Sequence, residues 1–538
     1  MLGRHVFMEG LIANGVKAIF GNPGTTENPL LESLADYPQM PYYVALQESI
    51  AACAATYYSQ ATNSPSLVNL HVAPGLGNAI GMMFGALKAG SPVLITAGQQ
   101  DTRMRLREPL LSHDLVAMAK PVTKWSGEPR HADEIAPMLR EALRIAMTPP
   151  RGPVFMSMPV DVFSAETQVT DVRPDTSLRL PVADTVQIHR FVELLKQARS
   201  PGIVAGDDVV VYGGASALIG TAEATNATVY QEGLRVHATF PNRHPSFGGR
   251  IPFEASTIRA LLSRHDLIVL IGGPFFEEIW YDAGSSLPDV PLIRLEQSPE
   301  RVNRNFVPTL GICADIGATL EATLGKLPRP SSLPTSSAYL ASLEIHLQKA
   351  WSGTPMTATR AMHELAQALP SDSIVVDESI TAYPDVAAAF DFSAPHTWYG
   401  ARGGGIGQGV AGAIGIQAAH PGRRIVAISG DGSAMYSIQA LWSAAHHQMP
   451  ILFVILANRE YRVLKHNLDI YRARFGAVSN GPYPHMNLDT PAVDFVQTAK
   501  GHGIDGTLVD TPEAIGPAVK AALATGKPHL LELIIAGK

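Results

Sequence analysis

Arg424–Asn458, RIVAISGDGSAMYSIQALWSAAHHQMPILFVILAN, is the stretch from which the rest of the chain can be read. Ile425–Ser429 is a largely apolar run, as expected of a parallel strand buried on both faces. Gly430-Asp431-Gly432-Ser433 breaks that run with a glycine on each side of a carboxylate. Tyr436–His447 then predicts a helix, and Ile451–Leu456 predicts the next strand. Asp431 and Asn458, 27 residues apart, therefore fall beyond the carboxyl ends of two strands joined by one right-handed crossover. Ligands of open α/β sheets bind at that edge. A carboxylate and an amide oxygen placed there suit Mg²⁺, which takes few protein oxygens and completes its octahedron with water and phosphate. Gly430 shapes the turn, and Gly432 and Ser433 offer backbone N–H groups to a phosphate.

Bulk properties are consistent with a large α/β enzyme. The 538 residues are 46% hydrophobic and 17% charged, enough for about three cored domains. A net charge of −7 without a long basic run argues against a nucleic-acid or membrane partner. The two cysteines, Cys53 and Cys313, lie far apart in sequence, which points to a reducing cytoplasmic setting and not to a disulfide framework. The amino-terminal segment reads as an amphipathic helix leading into a strand, not as a signal peptide, and no run is long enough to span a bilayer.

Strand patterns alternate with helical ones from the start: Lys17–Phe20, Tyr42–Leu46, Leu67–Val72, Val93–Ala97 and Val154–Ser157. A polar linker is expected over Ser164–Asp184. A second α/β unit follows, with strands near Ile203–Ala205, Ala227–Tyr230, Leu267–Ile271 and Leu292–Leu295. A Pro/Ser-rich linker at Leu327–Ser337 precedes the third unit. The fold class is α/β, with three doubly wound parallel-sheet domains over 1–170, 185–326 and 351–538.

In the first domain, Gly21-Asn22-Pro23-Gly24-Thr25-Thr26-Glu27 follows a strand. By itself this is a turn that caps the next helix at Thr25 or Thr26, although the hydroxyls are equally placed to meet a ligand. Glu48 follows the strand at Tyr42–Leu46 and precedes an Ala-rich helix, a position that usually just complements the helix dipole. His71 ends the next strand. Each alone is ordinary; together they fall at one edge of one sheet.

The ordered set IFGNPGTTE, ALQES, NLHVAPGLGNAIG, ITAGQQD, VDES, GGGIGQG and GDGSAMYSIQALW, closed by Asn458, resembles the thiamine diphosphate (ThDP) enzymes of benzoylformate decarboxylase-like and acetolactate synthase-like type. The resemblance spans nearly the full length. It implies pyrimidine-binding, central and diphosphate-binding domains, with the cofactor between the first domain of one subunit and the third of another. A homodimer is then the minimum and a homotetramer the expected assembly. It implies ThDP and Mg²⁺ as cofactors, with Asp431, Asn458 and the Glu460 backbone carbonyl as metal ligands. Glu48 matches the residue that hydrogen-bonds the aminopyrimidine ring and promotes formation of the C2 ylide. His71 matches a proton-transfer histidine, and Thr25 a substrate-contacting serine. Ile406 matches the wedge that bends the cofactor; Gly404, Ser379, Thr381, Gly430, Gly432, Ser433 and Tyr461 complete the expected cofactor set. Gly407–Gly412 fits a dinucleotide fingerprint, but no strand leads into it, and NAD binding there is rejected.

The implied function is non-oxidative decarboxylation of a 2-keto acid through an enamine, with carboligation as a side activity. The alternative is a carboligase or C–C lyase of acetolactate synthase or 2-hydroxyacyl-CoA lyase type. The sequence departs from benzoylformate decarboxylase where a second catalytic histidine would stand, at Ile279 in Phe275–Asp282. Glu277, Glu278 and His113 are the candidates to replace it, and His113 reads equally well as a surface residue opening a helix. Arg402 and Lys465 either pair a substrate carboxylate or face solvent. The central domain carries no decisive flavin signal.

Overall fold

A computed structural model describes residues 1–174, 180–328, 338–477, 479 and 481–537. The linker expected at 327–337 lies almost wholly outside the described residues, as does the middle of the one at 164–184. The chain forms two compact units, one of Met1–Thr176, Ala350–Ala389 and Ala401–Lys538, the other of Ser177–Lys349 and Phe390–Gly400.

The first unit holds two parallel sheets. One contains β1 (Ile19–Gly21), β2 (Tyr42–Val44), β3 (Ser66–Leu70), β4 (Val93–Gln99), β5 (Trp125–Gly127) and β6 (Val154–Pro159), in the order β2-β1-β3-β4-β6-β5. Strands β3, β4 and β6 are buried along their whole length, which explains why they are apolar at both faces. Gly21 pairs with Asn69, and strand order reverses between β1 and β3. The loops after those two strands therefore open a crevice at their carboxyl ends.

The central unit is built on β7 (Pro201–Ala205), β8 (Thr228–Gln231), β9 (Phe247–Arg250), β10 (Leu267–Ile271), β11 (Leu292–Glu296) and β12 (Leu310–Cys313). Their order is β12-β11-β10-β7-β8-β9, again parallel, over a core that includes Phe191, Leu218, Val269 and Ile293. Within this unit Ile279 is exposed, and the Glu278 carboxylate accepts a hydrogen bond from the Ser286 hydroxyl.

The second sheet of the first unit comprises β13 (Ile374–Glu378), β15 (Ile425–Gly430), β16 (Leu452–Ala457), β17 (Asp505–Val509) and β18 (His529–Ile534), running β13-β15-β16-β18-β17. Strand β14 (Trp398–Gly400) clusters with the central unit, where Gly400 N–H donates to the Val236 carbonyl at 2.9 Å. Glu378 pairs with Ser429, and Gly430 with Leu456, so β13, β15 and β16 end level with one another.

Within the first unit, the helices Glu48–Thr62 and Gln408–Ala419 pack against each other at very short range. A methyl on Gly415 would lie 1.9 Å from the Ala54 carbonyl oxygen, so only glycine permits the approach. The Ala/Gly runs of both helices are thus a packing requirement. The helix expected at Tyr436–His447 is divided. One turn, Asp431–Ala434, starts at the carboxylate, and a second piece spans Ala440–His446. Between them the backbone bonds step by three residues, and Ser437 Oγ donates to the Gly407 carbonyl at 2.6 Å. That side-chain bond draws the segment inward and tightens it away from α geometry.

Among the described residues, no helix is long and apolar enough to cross a membrane.

Candidate active site

At the β1–β3 crevice the decisive residue is Glu27, which the motif contained but which sequence reasoning left without a role. It is 0% exposed, and both its oxygens are fully used. Oε1 accepts from Thr26 Oγ1 and from Gly98 N–H, each at 2.8 Å. Oε2 accepts from Gly24 N–H at 2.8 Å and lies 2.8 Å from His71 Nδ1. An ionised carboxylate only accepts, so this contact places the proton on His71 Nδ1 and leaves Nε2 to exchange protons. Nε2 makes no hydrogen bond among the described residues. The histidine packs so closely on the turn that a methyl on Gly24 would lie 2.1 Å from Nδ1.

Glu48 opens the helix Glu48–Thr62, directly after the Gln47 cap whose side chain accepts from Ser49 N–H. It is buried. Asn22 Nδ2 donates to its Oε1 at 3.2 Å and Asn78 Nδ2 to its Oε2 at 3.0 Å. Sequence reasoning missed both amides. The spacing supplied a signal for Asn78: it lies on the helix that begins just after His71.

At the second switch point, between β13 and β15, Asp431 is buried. Its Oδ1 accepts from Gly432 N–H at 2.8 Å and its Oδ2 from Arg459 N–H at 2.6 Å. Burial raises its pKa, and the two N–H donors pull the other way. Gly432 therefore spends its N–H on Asp431 here, not on a free anion site. Asn458 follows β16, and its Oδ1 accepts from Glu460 N–H at 3.0 Å. The Glu460 carboxylate pairs with Lys465 Nζ, which also donates to Asn487 Oδ1 at 2.7 Å. Lys465 is thereby held by the protein. A cavity of about 190 Å³ is lined by Asp431, Gly432, Met435, Arg459, Tyr461 and residues of 487–495.

Three family models match in chain order. They are the thiamine pyrophosphate enzyme N-terminal TPP binding domain over 1–118, the central domain over 188–323, and the C-terminal TPP binding domain over 380–533. The benzoylformate decarboxylase of Pseudomonas aeruginosa is 32% identical over 532 residues, covering 98% of this chain and 97% of that one. The chain belongs to the thiamine pyrophosphate enzyme family. Glyoxylate carboligase of Escherichia coli is a more distant relative, 25% identical, with 97% and 90% of the two chains covered. In structure, the chain superposes on the thiamine diphosphate-dependent 4-hydroxybenzoylformate decarboxylase of Rhodococcus jostii with a TM-score of 0.89, at 31% identity over 100% of both chains.

The described residues fit a thiamine pyrophosphate enzyme's cofactor. Ser379, just beyond β13, is buried, and its hydroxyl has no hydrogen-bond partner among the described residues: an orphaned donor at the carboxyl end of β13. Asp431 and Asn458 give an oxygen-only donor pair of the kind a hard divalent ion takes. Among the described residues there is no group of three or more His, Cys, Asp or Glu that could hold a metal ion. Thr381 and Gly404 are exposed, Ser433 and Ile406 half-buried, and Gly430 ends β15. The Tyr461 ring covers Gly432.

Glu378 turns away from this edge. It takes N–H donors from Gly407, Gln408 and Gly409 at 2.8, 3.0 and 2.9 Å. A protein carboxylate thus takes the N–H groups that a phosphate would need at the glycine fingerprint. Burial pushes Glu378 up to about 7, and it does the same to Glu296 of the central unit. A carboxyl whose folded pKa lies above its unfolded value adds stability below about pH 4.5 and loses it as pH rises through 7. For Glu378 alone the swing is ~3 kcal/mol. We expect melting temperature to fall between pH 5 and 8, and Glu378→Gln to flatten that slope. An equal slope in the variant would contradict the assignment.

The other catalytic candidates are dispersed. Thr25 is exposed on the turn Thr25–Glu27 and lines a cleft of about 880 Å³ with Arg4, Gln100 and Met104. His113 is exposed, and its carbonyl accepts from Gln99 Nε2 at 2.9 Å. Arg402 is buried, with its carbonyl bonded to Gln408 Nε2.

Proposed function

We propose that the protein is a ThDP- and Mg²⁺-dependent non-oxidative decarboxylase of a 2-keto acid. The observation that carries this reading is the His71–Glu27 pair beside Glu48: a proton relay held ready at the edge where the cofactor's pyrimidine end would lie. When bound, the cofactor supplies a carbon nucleophile and an electron sink for carbon dioxide loss. The chain supplies binding and proton handling. Glu48, its carboxylate fixed by Asn22 and Asn78, would hold the aminopyrimidine end of the bound cofactor and offer it a proton-exchanging group. His71 Nε2 delivers a proton to the substrate-derived carbon or oxygen, and Glu27 keeps the ring in the tautomer that allows it. Thr25 contacts the substrate, and His113 serves as a second proton donor.

Asp431, Asn458 and the Glu460 backbone carbonyl hold Mg²⁺; Ser379, Thr381, Gly430 and Ser433 face the diphosphate, while Gly432 N–H positions the Asp431 carboxylate. Gly404, Ile406 and Tyr461 shape the bed for the rings. The assembly is a homodimer at minimum, with a homotetramer expected. The helix Arg462–Phe475 supports this: it buries none of its residues and exposes Leu464, Tyr471 and Phe475, an apolar surface that a second copy would cover.

The second reading, a carboligase, is favoured by Ile279, an exposed aliphatic side chain where benzoylformate decarboxylase carries a histidine. Slower protonation would then leave time for attack on an aldehyde acceptor. Product analysis separates the two. With a 2-keto acid and an excess of acceptor aldehyde, the decarboxylase reading expects free aldehyde as the main product. Predominant hydroxyketone would replace it with the carboligase reading.

Glu27→Gln tests the relay. It keeps the shape but loses one acceptor among four donors. We expect cofactor affinity to hold within a few-fold, kcat to fall about 100-fold, and the pH profile of kcat to shift, since a positioned general acid contributes about that much. A fall in kcat with an unmoved pH profile would reduce Glu27 to a structural role.

A further inference from the structure

Arg459 occupies a backbone conformation that its side chain does not favour. Its φ is +57°, in the left-handed region that glycine and asparagine enter most readily. The strain sits at the metal turn itself. The Arg459 N–H holds Asp431 Oδ2 at 2.6 Å, and its carbonyl accepts from Leu488 N–H at 2.7 Å. Glycine would make both bonds without strain, so the backbone alone does not account for arginine. Strained residues held by their surroundings cluster at functional sites.

The side chain is exposed and makes no salt bridge among the described residues. Its charge acts weakly on Glu532, whose Oε2 accepts from Phe495 N–H at 3.1 Å. Arg459 is the single cationic residue lining the 190 Å³ cavity that Asp431 and Gly432 also line. Arg462, the next cation along, donates to the Ala536 carbonyl at 3.5 Å, and Lys465 is already tied to Glu460 and Asn487.

A diphosphate monoester carries roughly two to three negative charges at pH 7, its terminal phosphate titrating near pH 6 as a phosphate monoester does. One divalent ion offset by the Asp431 carboxylate leaves much of that charge unbalanced. We propose that Arg459 is a diphosphate-binding residue, whose guanidinium supplies the missing positive charge at the cofactor's anionic end. This rests on the reading that the diphosphate binds at the Asp431 edge.

The test is calorimetric titration of the apo protein with ThDP at saturating Mg²⁺, for wild type, Arg459→Gly and Arg459→Lys, at low and high salt. Arg459→Gly keeps both backbone bonds and relieves the strain, so its apo melting temperature should equal or exceed that of wild type. Its Kd for ThDP should rise about 10- to 100-fold, the range for losing a charge-assisted bond. Its salt dependence should flatten, and Arg459→Lys should recover most of the affinity. Unchanged affinity in Arg459→Gly overturns the proposal, as does an equal salt dependence or a lysine variant as weak as glycine. Wild type that fails to bind ThDP overturns the underlying site reading as well, a result distinct from tight binding by all three proteins.

Discussion

Glu48→Gln is expected to lower turnover about 1,000-fold or more while ThDP still binds within a few-fold of wild type. General acid–base groups contribute about 10²–10⁴ each, and on the proposed reading Glu48 is the group that handles the cofactor's proton. The geometry adds a second loss. The carboxylate accepts one amide on each oxygen, from Asn22 at 3.2 Å and Asn78 at 3.0 Å. A glutamine offers one acceptor oxygen, so its NH₂ must face one of those donors, and the ring partner is no longer held in line. Single-turnover kinetics with cofactor affinity measured in parallel checks this. Turnover within a few-fold of wild type would remove Glu48 from the chemistry.

Asp431→Ala should abolish Mg²⁺-dependent cofactor binding, with the Kd for ThDP rising at least about 100-fold. Two effects act together. The carboxylate proposed to hold the metal is lost, and the Gly432 and Arg459 N–H groups lose their acceptor. An unsatisfied buried donor costs about 1–3 kcal/mol, so apo stability should fall as well. Asp431→Asn keeps one acceptor and separates the effects: apo stability should largely return, whereas metal-dependent binding should not. Titrating Mg²⁺ at fixed ThDP measures this directly. An alanine variant whose ThDP binding retains the wild-type response to Mg²⁺ would remove Asp431 from the metal site.

Much of this architecture was legible in the sequence because buried parallel strands are runs of apolar residues. Leu67–Leu70, Val93–Ala97 and Ile425–Ser429 announce themselves, and each lies in the interior of its sheet. The strands that escaped notice lack that signature. Asp505–Val509 is an edge strand, only partly buried. His529–Ile534 is interrupted by Glu532, whose carboxylate is turned inward to bond Phe495 N–H. Trp125–Gly127 is three residues long. The split of the helix after Asp431 was invisible because its cause, the Ser437–Gly407 bond, joins residues 30 apart in sequence.

The site followed the same logic. Asp431 and Asn458 are fixed by their own strand ends, and a local pattern reveals them. Glu27 could have been read by asking where a carboxylate set between a glycine turn and Pro29-Leu30 goes; buried charges require partners. Its partners, His71 just after β3 and Gly98 in β4, are distant in sequence and appear only in the folded chain. Glu378 faces the turn at Gly407–Gly409, a direction set by register across β13 and β15 and not by local sequence.

The most direct test of the central claim is carbon dioxide release from the purified protein supplied with aliphatic, aromatic and dicarboxylic 2-keto acids, with ThDP and Mg²⁺ present together, singly or absent. The account predicts release from at least one class of acid, in step with aldehyde formation, only when both cofactors are present. Release that is independent of ThDP, or silence across the panel from protein shown to have ThDP bound, would contradict it.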